Sequence, residues 1–382
     1  MADTGNAYSL PQKIRSELYQ LSKIGQTPCK WLGLSVHSLD IQNELHFSWQ
    51  SIPVFLAILR FCIVRIAGLF YVVSEDEFRQ TFNSASTTEY FSETLFAYTI
   101  TVTDVVTLLL HFRNRYKFVH FQSQLNTFLV ELSTQFNILK GEDDVVTAFK
   151  GSIKNSIDEV KWLRNVVLGC TAILIIGSEF SVIGNLLQHK PLSTLTWKTV
   201  GLVPFAFCWS FQVMSRLFIR IWMIGLIYSL KIGGSIVTDQ LNNIELLRKH
   251  NIDCFSKDQI LEMILNKFSN LEELLCDFNR IFGVHIALDL LSLTVIVFAN
   301  VFQAVVWYKN PEQDGVFAFG LCGIVSSLMI FSFCDSANKV ELQERAFINS
   351  LEKTQLSGFS NDLHMQTKVA SFSESETMQP YA

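Results

Sequence analysis

The chain has 382 residues, of which 49% are hydrophobic, 13% aromatic and 17% charged, with a net charge of −5. Ordinary soluble proteins carry roughly 25% charged residues, and a mean hydropathy of +0.29 leaves more apolar surface than water accepts. Soluble multidomain, disordered and disulfide-scaffold classes are thereby excluded, and no positive excess draws the chain to nucleic acid.

Residues 1–50 lack the apolar core of a signal peptide, so they are expected to remain where they are made, as a cytoplasmic N-terminal segment. Six stretches then reach the roughly 20 apolar residues that a helix needs to cross hydrocarbon with its backbone paired internally. They lie at about 51–73, 89–111, 164–188, 197–222, 281–307 and 314–334. The expected fold is all-α: a polytopic helical membrane protein with six transmembrane helices.

Positive charge near span ends stays in the cytoplasm. Counting Arg164 and Lys198 with the loops that they border, 22 basic residues fall on the N-terminal side, 4 on the other side and 4 inside spans. Both termini are therefore expected in the cytoplasm. The chain divides into the N-terminal segment 1–50, a region 51–250 holding spans one to four with the inner loop 112–163, and a region 251–382 holding an inner helix, spans five and six and the C-terminal segment.

The long inner segments carry helical periodicity. Phe118, Phe121, Leu125, Phe128, Leu132, Phe136 and Leu139 recur at three and four, as do Leu261, Ile264, Leu265, Phe268, Leu271, Leu275 and Phe278. Ser256 and Gln259 have capping-box spacing, and the helix that they open is expected to run on into span five. It carries Asp258, Glu262, Glu272, Glu273 and Asp277 rather than a basic face, which favours packing with other helices over adsorption to lipid. A cytoplasmic helical bundle below the membrane is the expected product, and Val340, Phe347 and Leu351 suggest a further helix in it.

None of the eight cysteines falls in an outer loop and none has C-x-x-C spacing, so neither disulfides nor a metal site is expected. Walker, G-x-S-x-G, H-E-x-x-H and kinase signatures are absent, which points to no enzyme and no cofactor. Ionisable residues inside spans are costly and need a partner or a wet cavity. Arg60, Arg65, Asp104, His285 and Asp289 are the candidates for intramembrane charge pairing, with Arg60 or Arg65 expected to meet Asp104; Arg216 and Arg220 near an inner end are read as snorkelling. Glu179, in the outer half of span three, either packs or lines a cavity. Together with the aromatic residues Tyr98, Phe180, Phe205 and Trp209 it forms the candidate ligand-binding set, because small organic molecules favour apolar pockets with few polar anchors.

This arrangement resembles the insect gustatory receptor family, part of the superfamily that includes insect odorant receptors. The stretch Leu274-Leu275-Cys276-Asp277-Phe278-Asn279-Arg280-Ile281-Phe282-Gly283 looks like the entry to that family's fifth helix. Phe333-Cys334-Asp335-Ser336-Ala337-Asn338, continuing through Glu344-Arg345-Ala346, looks like its span-six exit, and Leu363-His364-Met365-Gln366 to Pro380-Tyr381-Ala382 like the helix leading to its last span. The resemblance implies a chemosensory receptor subunit in the plasma membrane. It would bind a small tastant or odorant and form homo- or hetero-tetramers that act as ligand-gated non-selective cation channels. The family has seven spans, the last lining the pore and carrying Thr-Tyr, five apolar residues and Gln-Phe. That signature is absent here, so this chain is expected to carry no current alone. A non-conducting regulatory subunit and a multi-span small-molecule transporter are the alternatives.

Overall fold

The computed structural model describes residues 10–73, 87–140, 151, 153–170, 172–173, 176–177, 197–244, 257–308 and 316–356. Helix makes up 90% of the structure, and three of the described helices are long and apolar enough to cross a membrane, which makes the chain compatible with a helical membrane protein. In chain order the elements are α1 (Leu10–Trp31), β1 (His37–Leu39), β2 (Leu45–Phe47), α2 (Ile52–Val73), α3 (Thr87–Arg113) and α4 (Arg115–Lys140). A helix α5 over 153–170 follows, then α6 (Trp197–Asn242), α7 (Lys257–Tyr308) and α8 (Val316–Leu356). The helices long and apolar enough to span are Leu217–Asn242 within α6, Gln259–Val305 within α7 and Gly320–Lys353 within α8.

The N-terminal segment is more organised than its composition suggests. Ile14, Leu18, Leu21 and Ile24 recur at four and three and bury one stripe of α1. Past its end, Gly33 turns at φ 64°, and the N–H groups of Leu34 and Ser35 return to the Cys29 carbonyl at 2.8 and 3.2 Å. A two-stranded antiparallel hairpin follows, pairing His37 with Phe47 and Leu39 with Leu45. It is the one departure from an all-α fold among the described residues. Its turn is closed by Asp40 Oδ1, which accepts the N–H groups of Gln42 and Glu44 at 2.8 and 2.9 Å.

At the centre stands α6, whose residues 217–230 are buried on every side. It touches α1, α2, α3, α4, α7 and α8. Gly25 of α1 lies so close that an added Cβ would stand 2.5 Å from the Trp222 backbone. The inner periodic helices form as their spacing predicts: Phe118, Phe121, Leu125, Phe128 and Leu132 are buried on α4, and Leu261, Ile264, Leu265, Phe268, Leu271 and Phe278 on α7. Phe136 and Leu139 fall on α4 with their side chains outside what is described, and Ser256 lies outside the described residues. Phe268 stacks on Phe347 of α8 with ring centres 3.8 Å apart. Helix α5 buries Ile153, Ile157, Val160, Leu163 and Val167 in the same core. Its Glu159 accepts from Lys339 Nζ at 2.7 Å, and Lys339 also reaches Asp335 at 2.8 Å and the Tyr228 hydroxyl at 3.0 Å. Burial pushes the Glu159 carboxyl up, but the hydrogen bonds from Lys339 and Tyr228 outweigh it and hold the group below its ordinary value.

Exposed side chains change character partway along the helices. On α7 the exposed positions up to Arg280 are mostly polar, among them Glu262, Glu273, Asn279 and Arg280 with Met263 an apolar exception, and those after it are mostly apolar, among them Val284, Leu291, Phe298, Val301 and Val305. On α8 the order is reversed, from Ile324 and Phe331 to Asn338, Arg345 and Glu352, with Leu342 an exposed apolar residue among the latter. Helix α3 exposes Val102 and Leu109 before Arg113, and α2 exposes Ile52, Phe55, Leu59 and Ile66. One end of the helix set is thus sleeved in apolar side chains and the other in polar ones, the kind of split made by two solvents.

Candidate functional site

The boundary between the sleeves coincides with a buried aromatic and polar layer. His111, at the end of α3, stands edge-on to His285 of α7 with ring centres 4.9 Å apart. Phe118 of α4 lies 5.2 Å from His111 and 4.9 Å from Phe282, and Trp222 of α6 closes the layer 6.3 Å from His111. His111 Nδ1 donates to the Thr107 carbonyl at 2.9 Å, leaving its Nε2, like both ring nitrogens of His285, buried without a hydrogen-bond partner among the described residues.

His37 of β1 joins the same layer from the N-terminal side, 5.5 Å from Phe118. Its Nε2 donates to the Arg115 carbonyl at 2.9 Å, its N–H to Ser35 Oγ at 3.2 Å, and its carbonyl accepts from Gln26 at 2.7 Å. One residue therefore ties the hairpin to α1 and α4. Burial pushes the ring down to about 4 from an ordinary 6.5, with His111 adding to the effect and the Arg115 carbonyl opposing it. Because the folded value lies below the unfolded one, the unfolded chain binds the extra proton. Stability is then complete above about pH 6.5 and declines as pH falls toward 4, by about 3 kcal/mol at the lower limit. Thermal melts across that range should show the decline, and His37→Gln should flatten it; an unchanged slope in the variant would assign the titration elsewhere.

Two buried ion pairs flank the layer. Arg60 of α2 meets Asp104 of α3 at 2.6 Å, with the two side chains 8% and 5% exposed. Arg65 does not share that carboxylate; its guanidinium lies over the Phe61 ring at 5.1 Å. Arg220 of α6 reaches Asp289 of α7 at 3.3 Å, with side chains 3% and 8% exposed. This corrects the snorkelling reading of Arg220, which is buried and paired because α7 packs over the position where it would have to emerge. The Arg216 side chain lies outside what is described. His285 faces His111 and not an acidic partner.

The candidate ligand set is only partly placed. Glu179 and Phe180 lie outside the described residues. Tyr98 falls on α3, and Phe205 and Trp209 on α6, with their side chains outside what is described. Tyr98 and Trp209 each sit thirteen residues before His111 and Trp222 respectively, about 20 Å along the helix from that contact. Two small cavities are seen among the described residues. One of about 10 Å³ lies beside Arg220 and Asp289, and one of about 20 Å³ lies between α6, α7 and α8, lined by Leu230, Phe268, Leu271 and Val340. Each has room for about one water and none for an organic ligand.

Asp40, Glu44 and His46 gather at the hairpin turn, but Asp40 is already engaged by two backbone N–H groups and by His46 at 2.9 Å. The cluster is accounted for by the turn. No protein-family profile matches the chain, and no curated protein matches it.

Proposed function

We propose that this chain is a subunit of a chemosensory receptor of the insect gustatory type, built to bind a small tastant or odorant and to bias a non-selective cation channel. In this reading it sits in the plasma membrane with six spans and a cytoplasmic N-terminus and assembles as a homo- or hetero-tetramer with related subunits. No catalysis, cofactor or nucleic acid is assigned to it. The observation that carries the reading is that α6, α7 and α8 pass as unbroken helices of 46, 52 and 41 residues out of the apolar sleeve into a polar-surfaced bundle. Such lengths far exceed the roughly 20 residues of a bilayer crossing. The excess is spent on one side, where α4, α5 and the ends of α6 to α8 share a core.

A transporter would be expected to interrupt its helices near mid-membrane, where substrate is held. The unbroken α7 and α8, which contain no proline, support the receptor reading instead. Ligand would act by binding one packing of the outer bundle better than another. The test is whole-cell recording from cells expressing a seven-span gustatory-type receptor with and without this chain, against panels of sugars, bitter compounds and volatiles. A ligand-evoked cation current that changes with its inclusion is the expected result. Radiolabelled solute uptake into proteoliposomes, with no effect on any current, would replace the receptor with a transporter.

A further inference from the structure

The apolar sleeve ends in a rim of exposed aromatic and basic side chains that the receptor reading does not use. Trp31 closes α1 at 60% exposure, Trp49 precedes α2 at 60% and Tyr116 opens α4 at 62%. Between and beside them stand Arg113, Arg115 and Lys117. Trp49 is stacked on Phe112, ring centres 5.7 Å apart and planes within 11°. The Arg115 guanidinium lies over three rings at once, Phe47 at 5.3 Å, Trp49 at 5.3 Å and Tyr116 at 4.7 Å, and its Nη1 donates to the Phe112 carbonyl at 2.7 Å. These rings are held in place by packing while their outer faces stay uncovered.

Charge on the rim is predominantly positive. No Asp or Glu occurs in 28–39, 45–74 or 105–130, and the two acids of the intervening hairpin turn are already engaged, Asp40 by His46 at 2.9 Å and Glu44 by Arg15 at 3.5 Å. Chain-wide the balance is the reverse, at −5, so the rim is a local departure from the overall charge. The rim is also continuous with the exposed apolar faces of α2, which begins at Ile52, and of α3, which exposes Leu109 one turn before Arg113.

We infer that this rim docks the anionic phospholipid headgroups of the cytoplasmic leaflet, with the Trp and Tyr rings at headgroup depth and Arg113 and Lys117 on the phosphates and carboxylates. Indole and phenol rings settle at that depth because one edge is apolar and the other hydrogen-bonds. Basic side chains near an anionic surface each contribute about fivefold in affinity. A soluble protein partner is disfavoured because the surface that adjoins the rim on α2 and α3 is exposed and apolar, where a protein interface would have a polar border. Arg115, braced by the rings and the Phe112 carbonyl, is the fixed centre of the patch, and its flanking basic residues are free to follow the lipid.

The inference rests on the membrane reading, and its test separates the two. The full chain is reconstituted in phosphatidylcholine vesicles, and spin-labelled phosphatidylserine is compared with spin-labelled phosphatidylcholine for the fraction held at the protein surface. Phosphatidylserine should associate at least about threefold more strongly, and the preference should weaken in high salt. Arg113→Gln with Lys117→Gln should bring the ratio close to one with the thermal melt unchanged, while Arg345→Gln, at the far end of α8, should leave it intact. Equal association of both lipids with the unmodified chain overturns the inference alone, as does a preference that survives the double substitution. Failure of either lipid to associate overturns the membrane reading with it.

Discussion

Gly25→Ala is expected to destabilise the fold by about 3 kcal/mol, at the upper end of what inserting a methyl group into a packed core costs. The new Cβ would stand 2.5 Å from Trp222 Cα and N and 2.9 Å from its Cβ. Two of those three atoms are backbone, so no rotamer change can relieve the clash, and α1 must move away from α6 as a unit. Ile14, Leu18 and Leu21 would lose contact together, and the hairpin that His37 ties to α1 would follow. Gly283→Ala is the matched control. Nothing lies within 4 Å of a Cβ there, and exchanging helical Gly for Ala stabilises by up to about 1 kcal/mol. Thermal melts of detergent-solubilised protein should therefore shift in opposite directions for the two substitutions. A neutral Gly25→Ala would mean that α1 does not cross α6 at this point.

Arg60→Met should cost about 3–5 kcal/mol, because it strands the Asp104 carboxylate in a site only 5% exposed. Replacing both partners, as Arg60→Met with Asp104→Leu, should recover most of that loss, since paired removal leaves no buried charge and well-packed apolar groups substitute at little cost. The double-mutant cycle is read from the melts of the four proteins. Additive effects would show that the two groups do not depend on each other. A strong coupling assigns the pair to holding α2 against α3, the helices beside which Trp49 and Arg113 stand.

What could be read in the chain without coordinates follows from range. Periodicity is local, so the buried faces of α4 and α7 were legible from spacing, and so was the continuity of α7 through residue 280. The Arg60 contact is legible for a different reason: a charge in an apolar run needs an opposite charge at a similar depth, and Asp104 is close to that depth on the next apolar helix. Helix α1 carries an equally regular stripe at Ile14, Leu18, Leu21 and Ile24. Pro11, Pro28 and many polar residues in the same stretch mask that stripe. The three-residue strands are too short to have a period.

The histidine layer left no trace in spacing. His37, His111 and His285 come from segments far apart in sequence and meet only because α1, α3 and α7 converge on α6. Arg220 shows the same limitation: position along a helix gives depth, but not which neighbour covers it.

The 52 residues of α7 extend about 78 Å and the 41 of α8 about 61 Å. Rods of that length act as levers. A tilt of about 3° about the His285 level would displace an end 30 Å away by about 1.5 Å, enough to change which side chains meet there. A packing change too small to alter a pocket's lining would therefore be readable at the far end of the same helix, and the stacked Phe268 and Phe347 rings, 3.8 Å apart, sit where such a displacement would first be felt.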